Sequence, residues 1–364
     1  MIRVAIVGVG EVTRNVHLPA YSHLQHLVKV VACCDRDPAA REWARDKGRV
    51  PMVFDEISDM LEKTRPDVVS VCTPPALHRE HTIAALSYGC HVFCEKPLAD
   101  DLVQTDEIIL ASEQAQRHVV VNTQYPYMKI YDAAKRLIGS AEFGRLLYLH
   151  VWQFRQAFND VGWRVPLRRR QLTDMGVHIF ELMRFFFDED PVRICAHMPD
   201  PVKTNRDVVN VVSVEFCDGR GASMILNRIH QGLERYLVIR LNGEVASIET
   251  TMESRCRIQA GLYPGRKRPW LALDRFDGGS TVLEKGIRSK RIATEGQNPW
   301  VSGTTRHFAN FVDAILGGSE PQCTARHHRR TLALVFAAYD SADARASIEL
   351  APYYLAPLQA HPAP

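Results

Sequence analysis

Three side chains of this chain have the chemistry to move a proton between a substrate and the protein: Lys96, Asp174 and His178. A side chain that exchanges a proton with a substrate works best when it titrates near the working pH, and an imidazole titrates nearest to neutral pH. Asp174 and His178 are four residues apart, so on a helix they share one face and could meet one substrate. The structural alternatives are that Asp174 caps a helix running to about Phe187, that His178 is a satisfied interior histidine, and that Lys96 is a surface lysine at a strand end. The spacing alone favours these alternatives for Asp174 and His178.

A glycine-rich segment near the start of the chain indicates where a dinucleotide could bind. The apolar run 3–7 is typical of a strand buried on both faces of a parallel sheet, and it continues into Gly8-Val9-Gly10-Glu11-Val12-Thr13. Glycines there permit a tight turn and the close approach of a pyrophosphate, which then lies on the amide groups of the following helix. Thr13 stands where the third glycine of the usual pattern would be, so the match is partial and the segment could be only a turn.

Asp35 and Arg36 bear on the choice of cofactor. Asp35 ends the predicted second strand, 29–35, where a carboxylate accepts hydrogen bonds from the adenosine ribose and repels a 2′-phosphate. This favours NAD over NADP. Arg36 beside it could stack on adenine or pair with a phosphate, which leaves NADP possible. The alternative is that residues 35–38 form a plain turn and a helix cap.

Strands and helices alternate through the first third of the chain, which predicts a doubly wound parallel sheet. Ligands of such sheets bind beyond the carboxyl ends of the strands. Gly8, Asp35, Thr73 and Lys96 all lie at those ends. A helix to about Leu27 separates the first two strands. The elements predicted after the second strand are helix 38–46, strand 50–54, helix 57–63, strand 67–73, helix 78–88 and strand 90–94.

Beyond residue 145 the pattern changes to a series of strands without regular helices between them. Strands are predicted at 146–152, 208–216, 222–229 and 236–241, with hairpin turns at 217–220 and 241–244. The second turn contains Asn242-Gly243, a dipeptide favoured in tight hairpins.

Charge and composition argue against several classes of protein. Lys and Arg number 45 against 42 for Asp and Glu, and this near balance argues against a nucleic-acid partner, although 168–170 and 326–330 are basic runs. The nine cysteines show no repeated metal-ligand spacing, so we expect neither a metal site nor a disulfide framework. No segment is long and apolar enough to cross a bilayer, and the chain opens on a strand rather than a secretory signal. We therefore expect no membrane association and a cytoplasmic location.

Several motifs resemble the glucose–fructose oxidoreductase/inositol dehydrogenase family, often written Gfo/Idh/MocA. They are Val7-Gly8-Val9-Gly10, His17-Leu18-Pro19, the segment 67–75 with His78 after it, Glu95-Lys96-Pro97, Trp163-Arg164, Asp174-Met175-Gly176-Val177-His178 and Tyr339-Asp340-Ser341-Ala342. The resemblance spans nearly the whole chain and implies an α/β fold in two domains. Residues 1–122 would form an N-terminal Rossmann domain with a doubly wound parallel sheet. Residues 123–364 would form a C-terminal α+β domain with an open, largely antiparallel sheet and a final helix near 331–347 that packs back.

The resemblance also implies an NAD(P)-dependent oxidoreductase that interconverts a secondary alcohol and a ketone on a sugar, cyclitol or nucleotide-sugar. His178 would be the acid or base, Asp174 would orient it or the substrate hydroxyl, and Lys96 would hydrogen-bond the reacting oxygen. A cis peptide before Pro97 would suit the family, as would a homodimer or homotetramer. The cofactor would be bound by Gly8, Gly10, Glu11, Val12, Asp35, Arg36, Thr73, Pro74, His78, Glu95, Lys96, Trp163 and Arg164. The substrate would be bound by Lys96, Tyr125, Tyr127, Arg164, Asp174 and His178. For Trp163, Arg164 and His78 the alternatives are a core tryptophan, a solvated arginine and a helix cap.

Two departures from the family pattern fall on the substrate side. Arg168-Arg169-Arg170 stand where the family often has small residues, which indicates an exposed lid, a site for an anionic substrate or a solvated charge run. Tyr125 and Tyr127 stand where many relatives have Arg-Arg-Phe, and they could stack on a sugar ring. Two other functions fit the chain: a redox-neutral enzyme that oxidises its substrate only transiently, and a non-catalytic dinucleotide sensor. The presence of Lys96, Asp174 and His178 together argues against the sensor.

Overall fold

The computed structural model describes residues 1–156, 168–232, 234–252, 255–261, 270–276 and 278–355, with the backbone alone for 255–261 and 270–276. These residues form two large sheets with helices packed on them and a separate two-stranded hairpin. Within these ranges, no helix combines the length and the apolar character that crossing a bilayer requires.

Six parallel strands form the first sheet: β1 (Ile2–Val7), β2 (Val28–Cys34), β3 (Met52–Phe54), β4 (Val68–Val71), β5 (His91–Cys94) and β6 (Val119–Val121). Their order across the sheet is β3-β2-β1-β4-β5-β6, so the direction of winding reverses between β1 and β4. The strand ends are aligned there, with Val7 opposite Cys34 on one side and Val71 on the other. The predicted doubly wound parallel sheet is confirmed, and a sheet of this kind opens its ligand crevice where the order reverses.

The strands of this sheet are apolar on both faces because helices cover both. In β1 every residue except Arg3 is buried. The covering helices are α1 (Leu18–His23), α2 (Pro38–Asp46), α3 (Ile57–Thr64), α4 (His78–Ser87) and α5 (Leu102–Ala115). A π-helical turn, Thr13–His17, precedes α1, and the Leu18 amide bonds the Thr13 carbonyl five residues back. The first helix ends at His23 rather than near Leu27, because residues 24–27 form a turn.

The second sheet is mixed but mostly antiparallel. Its strands are β7 (Leu146–Phe154), β8 (Arg193–His197), β9 (Val209–Glu215), β10 (Gly221–Asn227), β11 (Arg235–Gly243), β12 (Ser247–Thr251), β15 (Ser280–Lys285), β16 (Arg288–Thr294) and β17 (Ile348–Glu349). The hairpin consists of β13 (Arg255–Gly261) and β14 (Trp270–Phe276). The order is β16-β15-β12-β11-β7-β10-β9-β8-β17, and of these neighbours only β7 and β10 run parallel. The largely antiparallel sheet expected for the second half of the chain is confirmed.

One of the two predicted hairpin turns lies elsewhere. Gly219 has a φ of +81° in the turn between β9 and β10, as the sequence predicts. Gly243, however, is the last residue of β11, and the turn follows it at 244–246. A Cβ on Gly243 would lie 2.4 Å from the Phe143 carbonyl oxygen, so glycine is needed there for close packing rather than for the turn.

The remaining five helices described are α6 (Lys129–Leu137), α7 (Val177–Phe187), α8 (Pro299–Gly317), α9 (Ala325–Ala344) and α10 (Ala351–Leu355). Two of them, α8 and α9, join the two halves of the molecule. Helix α8 was not predicted from the sequence, and its residues Phe308 and Phe311 pack on Phe93 of the first sheet. Helix α9 packs on α5 of the first half and on α7 and β8 of the second, so the end of the chain returns to the N-terminal half.

Candidate active site

A cavity of about 1510 Å³ lies at the carboxyl edge of the first sheet and is closed on its other side by the second half of the chain. Pockets for one drug-sized ligand are about 300–1,000 Å³, so this cavity has room for a large cofactor and a small substrate. The predicted site residues that line it are Gly8, Gly10, Glu11, Val12, Asp35, Arg36, Thr73, Pro74, Glu95, Lys96, Tyr125, Asp174 and His178. Trp163 and Arg164 lie outside the described residues. His78 and Tyr127 are not among the lining residues.

The glycine-rich turn has the geometry of a pyrophosphate cradle. Gly8 has a φ of +90°, and a Cβ on it would lie 2.8 Å from the carbonyl carbon of Cys72 at the end of β4. A Cβ on Gly10 would meet nothing within 4 Å, so the backbone there faces open space. Thr13, in place of the third glycine, is buried and donates a 2.6 Å hydrogen bond to the Gly8 carbonyl. The turn is therefore held from inside and open on the cavity side.

Asp35 ties the end of β2 to this turn. Its carboxylate accepts hydrogen bonds from the amides of Val9 at 2.7 Å and Asp37 at 2.9 Å. Each carboxylate oxygen retains a lone pair that a ribose hydroxyl can use. The helix cap in this segment is Asp37, which accepts from the Ala39 amide. Three features fit a dinucleotide: the glycine-rich turn after β1, the carboxylate at the end of β2, and the reversal of strand order beside β1.

His78 holds two cavity loops together, and its contact with a cofactor stays a prediction. Its Nδ1 lies 2.8 Å from the Pro97 carbonyl oxygen and its Nε2 lies 2.7 Å from the Thr73 carbonyl oxygen. Both partners are acceptors, so a neutral ring, with one N–H, donates to one of them at a time. His81, nearly one turn later in α4, lines the cavity instead and contacts the Thr73 hydroxyl at 3.1 Å.

A buried polar network stands next to Lys96 and was not foreseen from the sequence. Glu95 Oε1 accepts from His17 Nε2 and from Asn122 Nδ2, each at 2.7 Å. His17 Nδ1 lies 3.1 Å from the Tyr21 hydroxyl, which in turn contacts Ser70. His17 belongs to one of the motifs that carry the family resemblance, but nothing in the sequence joins it to Glu95, which is 78 residues away.

Glu95 and His17 are an ion pair at neutral pH. Burial alone would raise the pKa of Glu95, but the hydrogen bond and positive charge of His17 outweigh it and bring the pKa to about 2. Burial likewise favours the neutral form of His17, yet interactions with Cys72, Tyr21 and Glu95 raise its pKa well above the usual value. Opposite charges thus stabilise each other in a buried place where either alone would be costly.

Lys96 and Asp174 meet across the cavity. The Lys96–Pro97 peptide is cis, as expected. Lys96 Nζ donates to the Asp174 carbonyl oxygen at 2.7 Å and to its carboxylate Oδ1 at 2.8 Å. The other carboxylate oxygen accepts from Arg170 Nη2 at 3.3 Å. Lys96 is therefore directed into the site from the first sheet by a residue of the second half of the chain.

Asp174 is not the cap of its helix, so the structural alternative for this residue is wrong. The helical segment starts with a π-helical turn, Leu172–Gly176, and continues as α7. The capping carboxylate is that of Asp207, which accepts from the amides of Arg170 at 3.0 Å and Gln171 at 2.7 Å. Because Asp207 serves the helix start, the Asp174 side chain is left for the cavity.

His178 is a neutral, nearly buried imidazole at the cavity wall. Its ring is stacked on that of Tyr125, with centroids 4.2 Å apart and an interplanar angle of 6°. Burial first, and then the positive charge of Lys96, lower the pKa of His178 well below its ordinary value. Its Nδ1 is buried and has no hydrogen-bond partner in the part of the chain that the structure describes. The ring is therefore not the fully satisfied interior histidine of the alternative interpretation.

The two tyrosines predicted to bind substrate have different surroundings. Tyr125 lines the cavity, and its hydroxyl lies 3.1 Å from that of Tyr236. Tyr127 stacks on His307 of α8, with centroids 4.2 Å apart, and its hydroxyl donates to Gln322 at 3.0 Å. Helix α8 thus covers one face of the Tyr127 ring, and the contact of Tyr127 with substrate stays a prediction.

The three consecutive arginines also differ from one another. Arg168 is exposed, and Arg169 is paired with Asp343 and lies 5.1 Å over the Tyr339 ring. Arg170 has a side chain only 13% exposed. Burial lowers the pKa of Arg170, and the nearby charge of Arg228 adds to this effect. The interpretation as a solvated charge run therefore does not describe Arg170.

Comparisons with known proteins agree with this architecture. Residues 2–123 match the family model described as "Oxidoreductase family, NAD-binding Rossmann fold", and residues 131–249 match the GFO/IDH/MocA C-terminal domain. The chain is 25% identical over 354 residues to a D-apiose dehydrogenase of Paraburkholderia graminis, covering 95% of this chain and 89% of that protein. It is 28% identical over 211 residues to the D-glucoside 3-dehydrogenase of Escherichia coli, but this match covers 56% of this chain and only 60% of that protein.

A solved structure has the same fold at low sequence identity. An oxidoreductase from Agrobacterium radiobacter in complex with NAD+, L-tartaric acid and magnesium aligns with a TM-score of 0.77 and 17% identity. The alignment covers 96% of this chain and 98% of that one.

Proposed function

The chain belongs to the Gfo/Idh/MocA family of oxidoreductases, and from this premise we propose that it is an NAD-dependent dehydrogenase that interconverts a secondary alcohol and a ketone on a sugar-like or cyclitol-like substrate. The observation that carries the proposal is the meeting of Lys96, Asp174 and His178 in one cavity whose other end is the glycine-rich turn. A bound nicotinamide would accept or supply the hydride, and the glycine-rich turn and Asp35 would hold the rest of the dinucleotide. The Asp35 carboxylate favours NAD over NADP, because it would repel a 2′-phosphate.

Lys96 binds the reacting oxygen in this proposal. Its ammonium group is compact and positively charged, so it stabilises the oxygen most when negative charge develops on it. The two hydrogen bonds to Asp174 hold the ammonium group in one position before substrate arrives. Asp174 is the positioning residue for Lys96, and its carboxylate balances part of the positive charge there.

His178 accepts the hydroxyl proton during oxidation and returns it during reduction. A base must be neutral to accept a proton, and the lowered pKa of His178 keeps it neutral throughout the physiological range. Stacking on Tyr125 fixes the plane of the ring, so the ring nitrogens point in constant directions. The proton and the hydride thus leave the same carbinol group to two different acceptors.

The open face of the second sheet supports the expected homo-oligomer. One row across β9, β10 and β7 consists of Val211, Ile225 and Trp152. The first two of these side chains are about two-fifths exposed. An apolar row on a sheet face is typical of a subunit contact. Light scattering coupled to size-exclusion chromatography should give a particle mass that is a multiple of the chain mass. Ile225→Glu should lower that particle mass.

The direct test is a combined binding and turnover experiment. Titration of the purified protein with NADH and NADPH measures cofactor affinity. With a panel of polyols, cyclitols and aldoses, NADH production measures net oxidation and chromatography of the products measures substrate conversion. Lys96→Met and His178→Asn should each lower kcat/KM by about 10²- to 10⁴-fold, as expected when one proton-transfer or charge-stabilising group is lost. The controls Lys63→Met and His23→Asn alter exposed residues of the same types and should leave all three measurements unchanged.

The possible outcomes separate the alternatives. Tight NADH binding with turnover that both variants lose supports the dehydrogenase. NADH binding with substrate conversion but no net NADH would favour the redox-neutral enzyme. Binding without conversion of any substrate would favour the sensor, and failure to bind either dinucleotide would refute the proposal at its first step.

A further inference from the structure

The cavity has two ends of opposite charge character. The end formed by the first sheet is mainly acidic: Arg36 and Lys96 are its cationic residues among those described, and its carboxylates are those of Glu11, Asp35, Asp55, Glu56, Glu80, Glu95 and Asp100. The end formed by the second half of the chain is lined by Arg155, Arg168, Arg169, Arg170 and Arg228, with Asp174 as the acid among its described residues. The arginines are therefore not part of a generally basic surface. They are concentrated on the side where the substrate, rather than the dinucleotide, is expected to lie.

Arg155 and Arg228 are brought together by strand pairing. Phe154 of β7 and Asn227 of β10 are the last paired residues of two parallel strands, and the Arg155 amide donates to the Asn227 carbonyl at 2.8 Å. The next residues along the two strands are Arg155 and Arg228, so two positive side chains leave adjacent strand ends into the same cavity. Arg155 also pairs with Glu234 and lies 5.3 Å over the Tyr236 ring, so the two strand-end arginines have different surroundings.

Arg170 brings a third positive group from a different element. It precedes the helical segment that carries Asp174 and His178, and it bonds the Asp174 carboxylate. Burial lowers the pKa of Arg170, and the charge of nearby Arg228 lowers it further; both side chains are partly withdrawn from solvent. Asp174 is shared between Arg170 and Lys96, and Asp207 is engaged by the helix amides and the Tyr339 hydroxyl at 2.7 Å. The two carboxylates therefore serve several partners each.

We propose that the substrate carries an oxyanion, a carboxylate or a phosphate, which Arg228 and Arg170 bind while its reacting hydroxyl lies at Lys96 and His178. The substrate class is then a polyhydroxylated acid or a sugar phosphate rather than a neutral sugar. Guanidinium groups suit this role, because their planar donor pairs match the two oxygens of a carboxylate or phosphate. This inference rests on the proposed dehydrogenase function but is tested separately from it.

The test compares matched pairs of compounds. For NAD-linked oxidation we would measure kcat/KM for D-glucose against D-glucuronate, D-gluconate and D-glucose 6-phosphate, with the wild type, Arg228→Gln and Arg228→Lys. Arg136→Gln is the control, since Arg136 is an exposed arginine paired with Asp132 on α6. Binding of each acid to the NADH-loaded protein is measured by calorimetry, so that affinity is known even without turnover.

We expect at least one anionic compound to exceed its neutral counterpart by about tenfold or more. Arg228→Gln should reduce that preference by about 10- to 100-fold, the usual value of a charge-assisted hydrogen bond. Arg228→Lys should retain part of the preference, which separates loss of charge from misfolding, and Arg136→Gln should retain all of it. The panel also distinguishes a carboxylate from a phosphate.

Two results would overturn the inference while leaving the dehydrogenase intact: equal or better use of the neutral sugar, or a preference for the anion that survives in Arg228→Gln. The second result includes an equal loss for neutral and anionic substrates in Arg228→Gln, since the arginine would then act only through Asp174. If no compound is oxidised, the calorimetry decides. Anion binding that Arg228→Gln abolishes supports the inference although the proposed function has failed, and absent or unchanged binding refutes it.

Discussion

Replacing Glu95 by glutamine should destabilise the protein by an amount that depends on pH. Glu95 is 7% exposed and paired with His17, which is completely buried. The substitution keeps the shape and leaves an amide oxygen that can still accept the Asn122 hydrogen bond, but it removes the charge. The His17 imidazolium then has no carboxylate partner, and the ring is expected to give up its proton.

The magnitude follows from the proton affinity of the carboxyl group. The pKa falls from 4.5 to about 2, and each tenfold change in proton affinity corresponds to about 1.4 kcal/mol, so the ionised carboxylate contributes about 3 kcal/mol at neutral pH. Because the folded-state pKa is depressed, this contribution is fully present above about pH 4.5 and is lost as the pH falls through about 2. At about pH 3, close to half of it should remain.

Urea unfolding of the wild type and Glu95→Gln at several pH values measures this difference. The control is Glu107→Gln, which removes a carboxylate from an exposed ion pair with Arg79 and should cost at most about 1 kcal/mol. A loss below about 0.5 kcal/mol at neutral pH for Glu95→Gln would refute the buried ion pair. A loss that is the same at neutral pH and at about pH 3 would refute the assignment to ionisation, even if the loss itself is large.

Two further predictions concern the cofactor turn and the base. Gly8→Ala should abolish tight NADH binding and destabilise the protein, because the new Cβ would meet the Cys72 backbone at 2.8 Å in a left-handed conformation, whereas Gly10→Ala should leave urea stability unchanged. Equal stability losses in the two variants would contradict this. Lys96→Met should raise the pKa of His178, since Lys96 and burial both lower it, and NMR titration of the ring would show this directly. The acidic limb of the residual kcat/KM profile should move to higher pH, and an unchanged limb would argue against His178 as the base.

The parts of the site at strand ends were predictable because parallel sheets have a simple geometry. Gly8, Asp35 and Lys96 each follow a short apolar strand, and the carboxyl ends of parallel strands meet at one edge. Only local pattern is needed for this conclusion. The glycine-rich segment matched the usual pattern only in part, because Thr13 replaces the third glycine. The role of Thr13 appears only in three dimensions, where its hydroxyl donates a hydrogen bond to the Gly8 carbonyl oxygen.

The parts that were missed depend on partners distant in sequence. Tyr127 was predicted to stack on substrate at a departure from the family pattern, and its contact with His307 comes from a helix 180 residues later. The helix-cap alternative for Asp174 was reasonable locally, and the actual cap, Asp207, follows it by 33 residues. His17 and Glu95 were each seen as parts of motifs, but no sequence pattern states that two buried charges will meet.

The two π-helical turns explain why the reacting groups converge as they do. Each occurs where a helix begins beside the cavity: Thr13–His17 after the glycine-rich turn, and Leu172–Gly176 before α7. A π-helical turn holds one residue more than an α-helical turn, so it shifts the side chains on either side of it relative to each other.

Each of the two turns carries a residue that contacts the loop 95–96. The first contains His17, which hydrogen-bonds Glu95, and the second contains Asp174, which hydrogen-bonds Lys96. Glu95 and Lys96 are adjacent in the chain, so the two turns act on the same short loop from opposite sides. An irregular turn costs some helix stability. Both irregular turns lie next to the reacting groups, where a functional site needs its side chains held in position by the surrounding structure.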